Sequence, residues 1–154
     1  MPIEVTLVLA SLLVAAVVAV REGGAPERIG AVIIAAWILS DWIYHVLFGP
    51  SGFERVDPVH VVLDGAELVA IMWLALRANR MWPLWAAAAQ LICVSGHLAA
   101  FVDPGMRRAY WAMTQLPQYI QIVTLMLGAL AHARRERRVG RYRSWRLTED
   151  TVRG

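Results

Sequence analysis

The chain has 154 residues, of which 58% are hydrophobic and 18% are charged, and its mean hydropathy is +0.51. Soluble domains are about 45–50% apolar and about 25% charged, so this composition indicates a membrane protein, and the length allows one domain. All 15 basic residues are arginines, the net charge is +3, and a single cysteine, Cys93, excludes an intrachain disulfide. The high apolar content of the chain argues against nucleic acid as the partner of the arginines.

Five apolar runs have the length of membrane helices, which need about 20 apolar residues each. They cover residues 3–20, 29–48, 59–76, 81–102 and 109–131. The connectors between them are short and rich in glycine and proline, which makes neighbouring helices antiparallel. The sequence therefore predicts an all-α integral membrane protein, a compact up-down bundle of five transmembrane helices. This domain covers 1–133, and an arginine-rich cytoplasmic tail, 134–154, follows it.

The first run could also be a secretory signal peptide. Such peptides begin with a positively charged region and end at a small-residue cleavage site. Here the acidic Glu4 stands at the start of the run, and the positive charge, Arg21, follows it. We therefore expect this run to be retained as a helix.

Arginine counts predict the orientation, because basic residues near membrane spans stay on the cytoplasmic side. Twelve arginines lie in the 21–28 loop, the 77–80 loop and the tail, whereas the opposite side has only Arg55, Arg107 and Arg108. The N-terminus is therefore expected outside and the C-terminus in the cytoplasm. Arginine-only basicity and abundant alanine suggest a GC-rich genome, so the expected location is a bacterial inner membrane, crossed several times.

Ionisable residues interrupt several runs. Placing one charged side chain at the centre of a membrane helix costs at least about 2.5–3.5 kcal/mol of insertion free energy. Residues three or four apart share a helix face, so Asp41 and His45 form one polar stripe and His60, Asp64 and Glu67 form another. Polar residues of four runs lie at a similar distance from the 49–58 and 103–108 loops. At 1.5 Å per residue this distance is roughly 8–12 Å along the helices, so these residues form one layer. The predicted ligand or proton site in this layer consists of Asp41, Asp64, Glu67, His97, Gln115 and Gln118.

A metal ion is one use of this layer, because imidazole and carboxylate groups suit zinc, iron, copper and manganese. The candidate metal ligands are His45, His60, Asp64, Glu67 and His97. Their spacing matches no named metal motif. The sequence leaves the cofactor unknown: the first candidate is a transition metal, and the second, haem, would need two facing histidines, for which His45 and His97 are the best pair.

Proton handling is a second use, since clustered Asp, Glu and His residues in a bundle can relay protons. Beyond Gln90 and Gln121 the cytoplasmic half of the runs is almost wholly apolar, which favours a pocket open on one side over a channel. A third use is structural, because the same side chains can form interhelical hydrogen bonds.

Two functions follow from these alternatives. The first is a small inner-membrane protein whose outer-leaflet pocket binds a metal, a proton or a small ligand. The second is a non-catalytic accessory or assembly subunit of a larger membrane complex, in which the polar layer serves as hydrogen-bond glue. No phosphate-binding loop, nucleophile elbow or catalytic-triad order assigns a reaction.

The tail carries a net charge of +5, against −2 for the rest of the chain. Arginines beside a membrane attract anionic lipid headgroups. We therefore expect lipid or partner docking by Arg134, Arg135, Arg137, Arg138 and Arg141. The expected partners are the lipid bilayer, other membrane subunits or further copies of this chain.

Overall fold

The computed structural model describes residues 3–49, 53, 55–103 and 105–146, with the side chains of all but residues 3 and 4. These residues form five helices: α1 (Ile3–Glu22), α2 (Ala25–Phe48), α3 (Pro58–Arg77), α4 (Trp82–Val102) and α5 (Arg107–Val139). No sheet occurs in the described part of the chain, where two residues pair in an isolated bridge. The predicted all-α helical bundle is confirmed.

Local sequence explains where the helices begin and end. A proline in the first turn of a helix costs no hydrogen bond, because the N–H groups there have no partner within the helix. Three helices have a proline at their first or second position: Pro26, Pro58 and Pro83. The Asp57 side chain caps α3 by accepting a hydrogen bond from the backbone N–H two residues on. Helices α2 and α5 end at Gly49 and Gly140, whose positive φ angles of 87° and 76° favour glycine.

The five helices form a closed ring. Each helix packs against its neighbours in sequence, α1 packs against α5 to close the ring, and α2 also contacts α5. The α2–α3 and α4–α5 connectors lie together at one end, called here the α2–α3 end. The α1–α2 and α3–α4 connectors lie at the other end with the C-terminus of α5, called here the α1–α2 end.

Four of the described helices, α1 to α4, are long and apolar enough to cross a membrane. Their outer faces carry exposed aliphatic side chains such as Val62, Val69 and Leu98, which suits a lipid environment. Helix α5 is less apolar because six arginines lie near its two ends and three glutamines interrupt its apolar run: Gln115, Gln118 and Gln121. The structure therefore supports a multi-pass membrane protein, while the fifth span and the orientation stay predictions.

The first residues of the arginine-rich segment belong to the folded bundle. Helix α5 continues to Val139, and the chain then folds back on the α3–α4 connector. The Arg146 N–H donates to the Arg77 carbonyl over 2.9 Å, and the Asn79 N–H donates to the Ser144 carbonyl over 2.9 Å. Residues 147–154 of the predicted tail lie outside the described residues.

Candidate functional site

A cavity of about 830 Å³ opens at the α2–α3 end, and every helix contributes to its wall. Its volume lies in the range of small-molecule sites, about 300–1,000 Å³. The apolar part of the wall comes from aliphatic residues of α1, α2 and α5 and from aromatic residues. The polar side chains are Asp41, His45, Arg55, Asp57, His60, Asp64, His97, Tyr110, Thr114, Gln115, Gln118 and Tyr119. The structure thus brings together the predicted layer, except that Glu67 does not line the cavity.

Asp41, His45 and His60 form the first group at this wall, called here the histidine cluster. Asp41 and His45 lie one turn apart on α2, and His60 lies in the first turn of α3. His60 Nε2 lies 3.0 Å from Asp41 Oδ1 and 3.3 Å from His45 Nε2. His45 Nε2 lies 3.6 Å from the same Asp41 oxygen. The three side chains therefore direct one ligand atom each towards a common point.

The outer nitrogens of the two rings have acceptors as partners. His45 Nδ1 lies 3.1 Å from the Gly49 carbonyl oxygen, and His60 Nδ1 lies 3.3 Å from Asp57 Oδ2. Tyr44 donates its hydroxyl to that Asp57 oxygen over 2.7 Å and so holds the carboxylate in place. Because a carbonyl and a carboxylate only accept, both Nδ1 atoms carry a proton. A neutral His60 would then turn its Nε2 lone pair towards both the Asp41 carboxylate, 3.0 Å away, and His45 Nε2, 3.3 Å away, so a cation, either a proton on His60 Nε2 or a metal ion, is required between these atoms.

The second group joins α3, α4 and α5 by hydrogen bonds. His97 Nε2 lies 2.6 Å from Asp64 Oδ2, and His97 Nδ1 lies 3.0 Å from the Tyr110 hydroxyl. Gln90 donates to Asp64 Oδ1 over 3.1 Å and accepts from Gln121 over 2.8 Å. We call these five residues the interhelical network. Both nitrogens of His97 and both oxygens of Asp64 have protein partners, so this group is satisfied without a further ligand.

Cys93 and Glu67 lie beside the interhelical network. Cys93 is close enough to Asp64 and His97 to complete a second three-residue metal group. In this group the Asp64 and His97 ligand atoms lie only 2.6 Å apart, whereas those of the histidine cluster lie 3.0–3.6 Å apart. Glu67 is buried, and its Oε1 has no hydrogen-bond partner among the described residues. His45 contacts His60 whereas His97 contacts the interhelical network, so the geometry gives no support to a haem held between His45 and His97.

The opposite end of the bundle holds a buried charged cluster that the sequence analysis did not identify. Glu27 accepts hydrogen bonds from Arg80 Nε over 3.0 Å and from the Trp82 indole over 3.1 Å. Arg80 Nη2 lies 3.0 Å from His132 Nδ1, which also contacts the Tyr142 hydroxyl over 2.8 Å. Helix α2 begins at Ala25, so Glu27 lies in its first turn rather than in a loop. Glu27, Arg80 and His132 lie just outside the predicted apolar runs, so the cluster adds buried charge at this end of the bundle without contradicting the apolar character of the runs.

Comparison of the chain with family models, with curated proteins and with solved structures finds no match. The functional argument therefore rests on the geometry of the chain itself.

Proposed function

We propose that this chain is a membrane protein that binds a divalent transition-metal ion at the histidine cluster, with zinc as the best-fitting ion. The observation that carries the proposal is the triangle formed by His45 Nε2, His60 Nε2 and Asp41 Oδ1, with edges of 3.0, 3.3 and 3.6 Å. Tetrahedral zinc with bonds of about 2.0–2.2 Å separates its ligand atoms by about 3.3–3.6 Å. The triangle has the size of one face of such a tetrahedron.

A positive charge among these three atoms is needed because a carboxylate oxygen and two imidazole lone pairs repel one another. A proton on His60 Nε2 is the simplest such charge, because it bonds to Asp41 Oδ1 over 3.0 Å and is faced by the His45 Nε2 lone pair at 3.3 Å. A metal ion binds all three. The bonds from Nδ1 to Gly49 and Asp57 also support a metal, since metal-binding histidines ordinarily donate their other N–H to a carbonyl or a carboxylate.

The cavity beside the histidine cluster supports a metal ion that binds a ligand, and not one that only stabilises the fold. Structural zinc sites have four protein ligands, whereas sites that act on ligands have three and leave a position open. The histidine cluster offers three, and the cavity lies on the open side with Arg55, Gln115 and Gln118 in its wall. We infer a small polar or anionic ligand bound to the metal. In the orientation inferred from the arginine counts, the ligand enters from outside a bacterial inner membrane.

The interhelical network has a different role in this proposal. Its members already bond to one another across three helices, so they serve as hydrogen-bond glue. The alternative function, an accessory subunit whose polar residues only join helices, accounts for this network. It accounts for the histidine cluster when His60 carries a proton on Nε2, so metal binding at these three atoms is the property that separates the two functions.

Cobalt and zinc titrations of the purified protein in detergent test the proposal after removal of metals with a chelator. We expect one ion per chain, with the intense visible absorption of tetrahedral Co²⁺. The variant His45→Ala/His60→Ala should lose more than about 100-fold in Zn²⁺ affinity, because removing ligands exceeds the effect of removing their orienting partners.

The matched control is Asp103→Asn, which removes an exposed carboxylate at the same end of the bundle. It should bind Zn²⁺ as the unmodified chain does. Thermal unfolding in detergent checks that each variant is folded. An unmodified chain that binds neither ion, or a double histidine variant that binds Zn²⁺ equally well, would overturn the proposal.

A further inference from the structure

A second cavity, of about 460 Å³, lies between α4 and α5 at the α1–α2 end. Its wall combines two kinds of side chain. Trp85 and Leu127 are 65% and 60% exposed and give it an apolar part on the lateral surface of the bundle. Three arginines give it a basic part: Arg80, Arg135 and Arg146. The cavity is therefore amphipathic, and it is separate from the cavity that holds the histidine cluster.

The three arginines are held in place by neighbouring groups. Arg80 and Arg135 lie over the same Tyr142 ring, with Cζ 4.6 and 4.2 Å from its centroid. Arg146 Nε donates to the Ala78 carbonyl over 3.1 Å. These contacts draw like charges together on one wall.

The acidic residues nearby compensate this charge only in part. Glu27 pairs with Arg80, and the Glu136 carboxylate lies 3.8 Å from His132. The structure gives no carboxylate partner to Arg135 or Arg146 among the described residues. The wall therefore has positive charge available for an anion.

The polar and apolar parts follow one another along the helix axis. Thr124 at the apolar end and Arg135 at the basic end both line the cavity, and they lie about 16 Å apart along α5 at 1.5 Å per residue. A soluble phosphate ion would occupy only the basic end of the cavity. A phospholipid presents both an anionic headgroup and an acyl chain, so it can use the whole length.

We propose that this cavity binds one anionic phospholipid, with the headgroup phosphate between Arg135 and Arg146. Arginine suits this role because its planar guanidinium donates two parallel hydrogen bonds to phosphate oxygens. The glycerol backbone and an acyl chain lie along Trp85 and Leu127 on the lateral surface. Other arginines of the same segment, Arg134, Arg138 and Arg141, do not line the cavity and contribute only the general attraction of a basic surface.

Native mass spectrometry of the full chain in detergent tests this proposal, with phosphatidylglycerol as the probe and phosphatidylcholine as the neutral lipid. We expect one phosphatidylglycerol per chain and weaker binding of phosphatidylcholine. Arg135→Gln/Arg146→Gln should lose about tenfold or more in phosphatidylglycerol affinity, consistent with the attraction of two arginines for an anionic headgroup.

The matched control is Arg134→Gln/Arg138→Gln, which also removes two positive charges, here from exposed positions on α5, the helix that carries Arg135. It should lose clearly less affinity than Arg135→Gln/Arg146→Gln, because its two arginines contribute only the general attraction of a basic surface. Arg146→Gln alone, at an exposed position, keeps the test valid if the double cavity variant is unstable. Equal losses in the two double variants would show a diffuse basic surface and overturn the proposal. Inorganic phosphate that displaces the lipid and binds as tightly would overturn it in favour of a soluble anion.

Discussion

Trp82 donates its indole N–H to Oε1 of Glu27 over 3.1 Å, and both side chains are buried. The same oxygen accepts from Arg80, while the other Glu27 oxygen accepts from the Gly24 N–H over 2.9 Å. One carboxylate therefore joins the start of α2, the α3–α4 connector and the start of α4. Glu27 is 0% exposed, so its charge depends on these donors in place of water.

Removing this carboxylate should strongly destabilise the bundle. In Glu27→Ala the Arg80 guanidinium stays buried without its counter-ion, which costs about 3–5 kcal/mol in the free energy of unfolding. Thermal unfolding in detergent, followed by circular dichroism, measures the loss. The control is Glu22→Ala, since Glu22 pairs with Arg137 at side chains that are 38% and 73% exposed. Such surface pairs contribute about 0–1 kcal/mol, so equal losses in the two variants would contradict the assigned role of Glu27.

Two glycines allow Trp82 to enter the bundle. A Cβ atom added to Gly30 would lie 2.2 Å from the six-membered ring of Trp82, and one added to Gly128 would lie 2.3 Å from its five-membered ring. The indole is buried, and it packs against both of these glycines, one on α2 and one on α5. The absence of side chains at these two positions is thus a packing requirement.

Gly30→Ala and Gly128→Ala should each lower the free energy of unfolding by about 1–3 kcal/mol, the usual cost of overpacking. The control is Gly65→Ala in α3, because a Cβ there meets nothing within 4 Å. Alanine is the better helix former, so this control should be neutral or slightly stabilising. Chemical or thermal denaturation of the three variants in one detergent measures the difference. A destabilised control would show that helix glycines matter here for some reason other than Trp82.

The interhelical network should affect stability without affecting metal binding. In His97→Leu, Asp64 loses its 2.6 Å partner, and a buried acceptor left without its donor costs about 1–3 kcal/mol. The Zn²⁺ affinity of the histidine cluster should be unchanged, because His97 is not among its ligands. Ser95→Ala, at an exposed site on the same helix, is the control for stability. A large drop in Zn²⁺ affinity in His97→Leu would place His97 in the metal site and contradict the separation of the two groups.

The sequence predicted the helices well because each apolar run has the length of a span, and each of the five helices overlaps one run. It did not predict that α5 continues to Val139. Arginine is a good helix former, so a helix can continue after its apolar run has ended. The early start of α2 had a visible signal, since Pro26 and Glu27 after two glycines are typical of a first helical turn.

Helical spacing and depth predicted which polar residues approach the cavity, but not how they pair. Asp64 and Glu67 share a stripe at i and i+3, yet Asp64 lines the cavity and Glu67 does not. Three residues advance a helix by about 300°, so such neighbours point about 60° apart. Which of them faces the cavity depends on the rotation of α3 against α4 and α5. The contact of His45 with His60 likewise depends on the packing of α2 against α3, which no local pattern encodes.

Asp57 should tune the histidine cluster without touching its metal. Its Oδ2 lies 3.3 Å from His60 Nδ1, on the side of the ring away from Nε2, so its negative charge orients His60 and makes Nε2 a stronger ligand. Asp57→Asn removes that charge but keeps a side chain that caps α3, because asparagine is as good an N-cap as aspartate.

We expect Asp57→Asn to weaken Zn²⁺ binding by about 10–100-fold, the range found for orienting partners of metal-bound histidines. Stoichiometry should stay at one ion per chain, since the three ligands remain. Competition with a chromophoric chelator measures the affinity, and Asp103→Asn, whose side chain accepts from a loop N–H in the α4–α5 connector, is again the matched control. Equal Zn²⁺ affinity in the two variants would mean that Asp57 does not orient His60. A selective loss in Asp57→Asn would instead tie the affinity to the one carboxylate that holds His60 Nδ1.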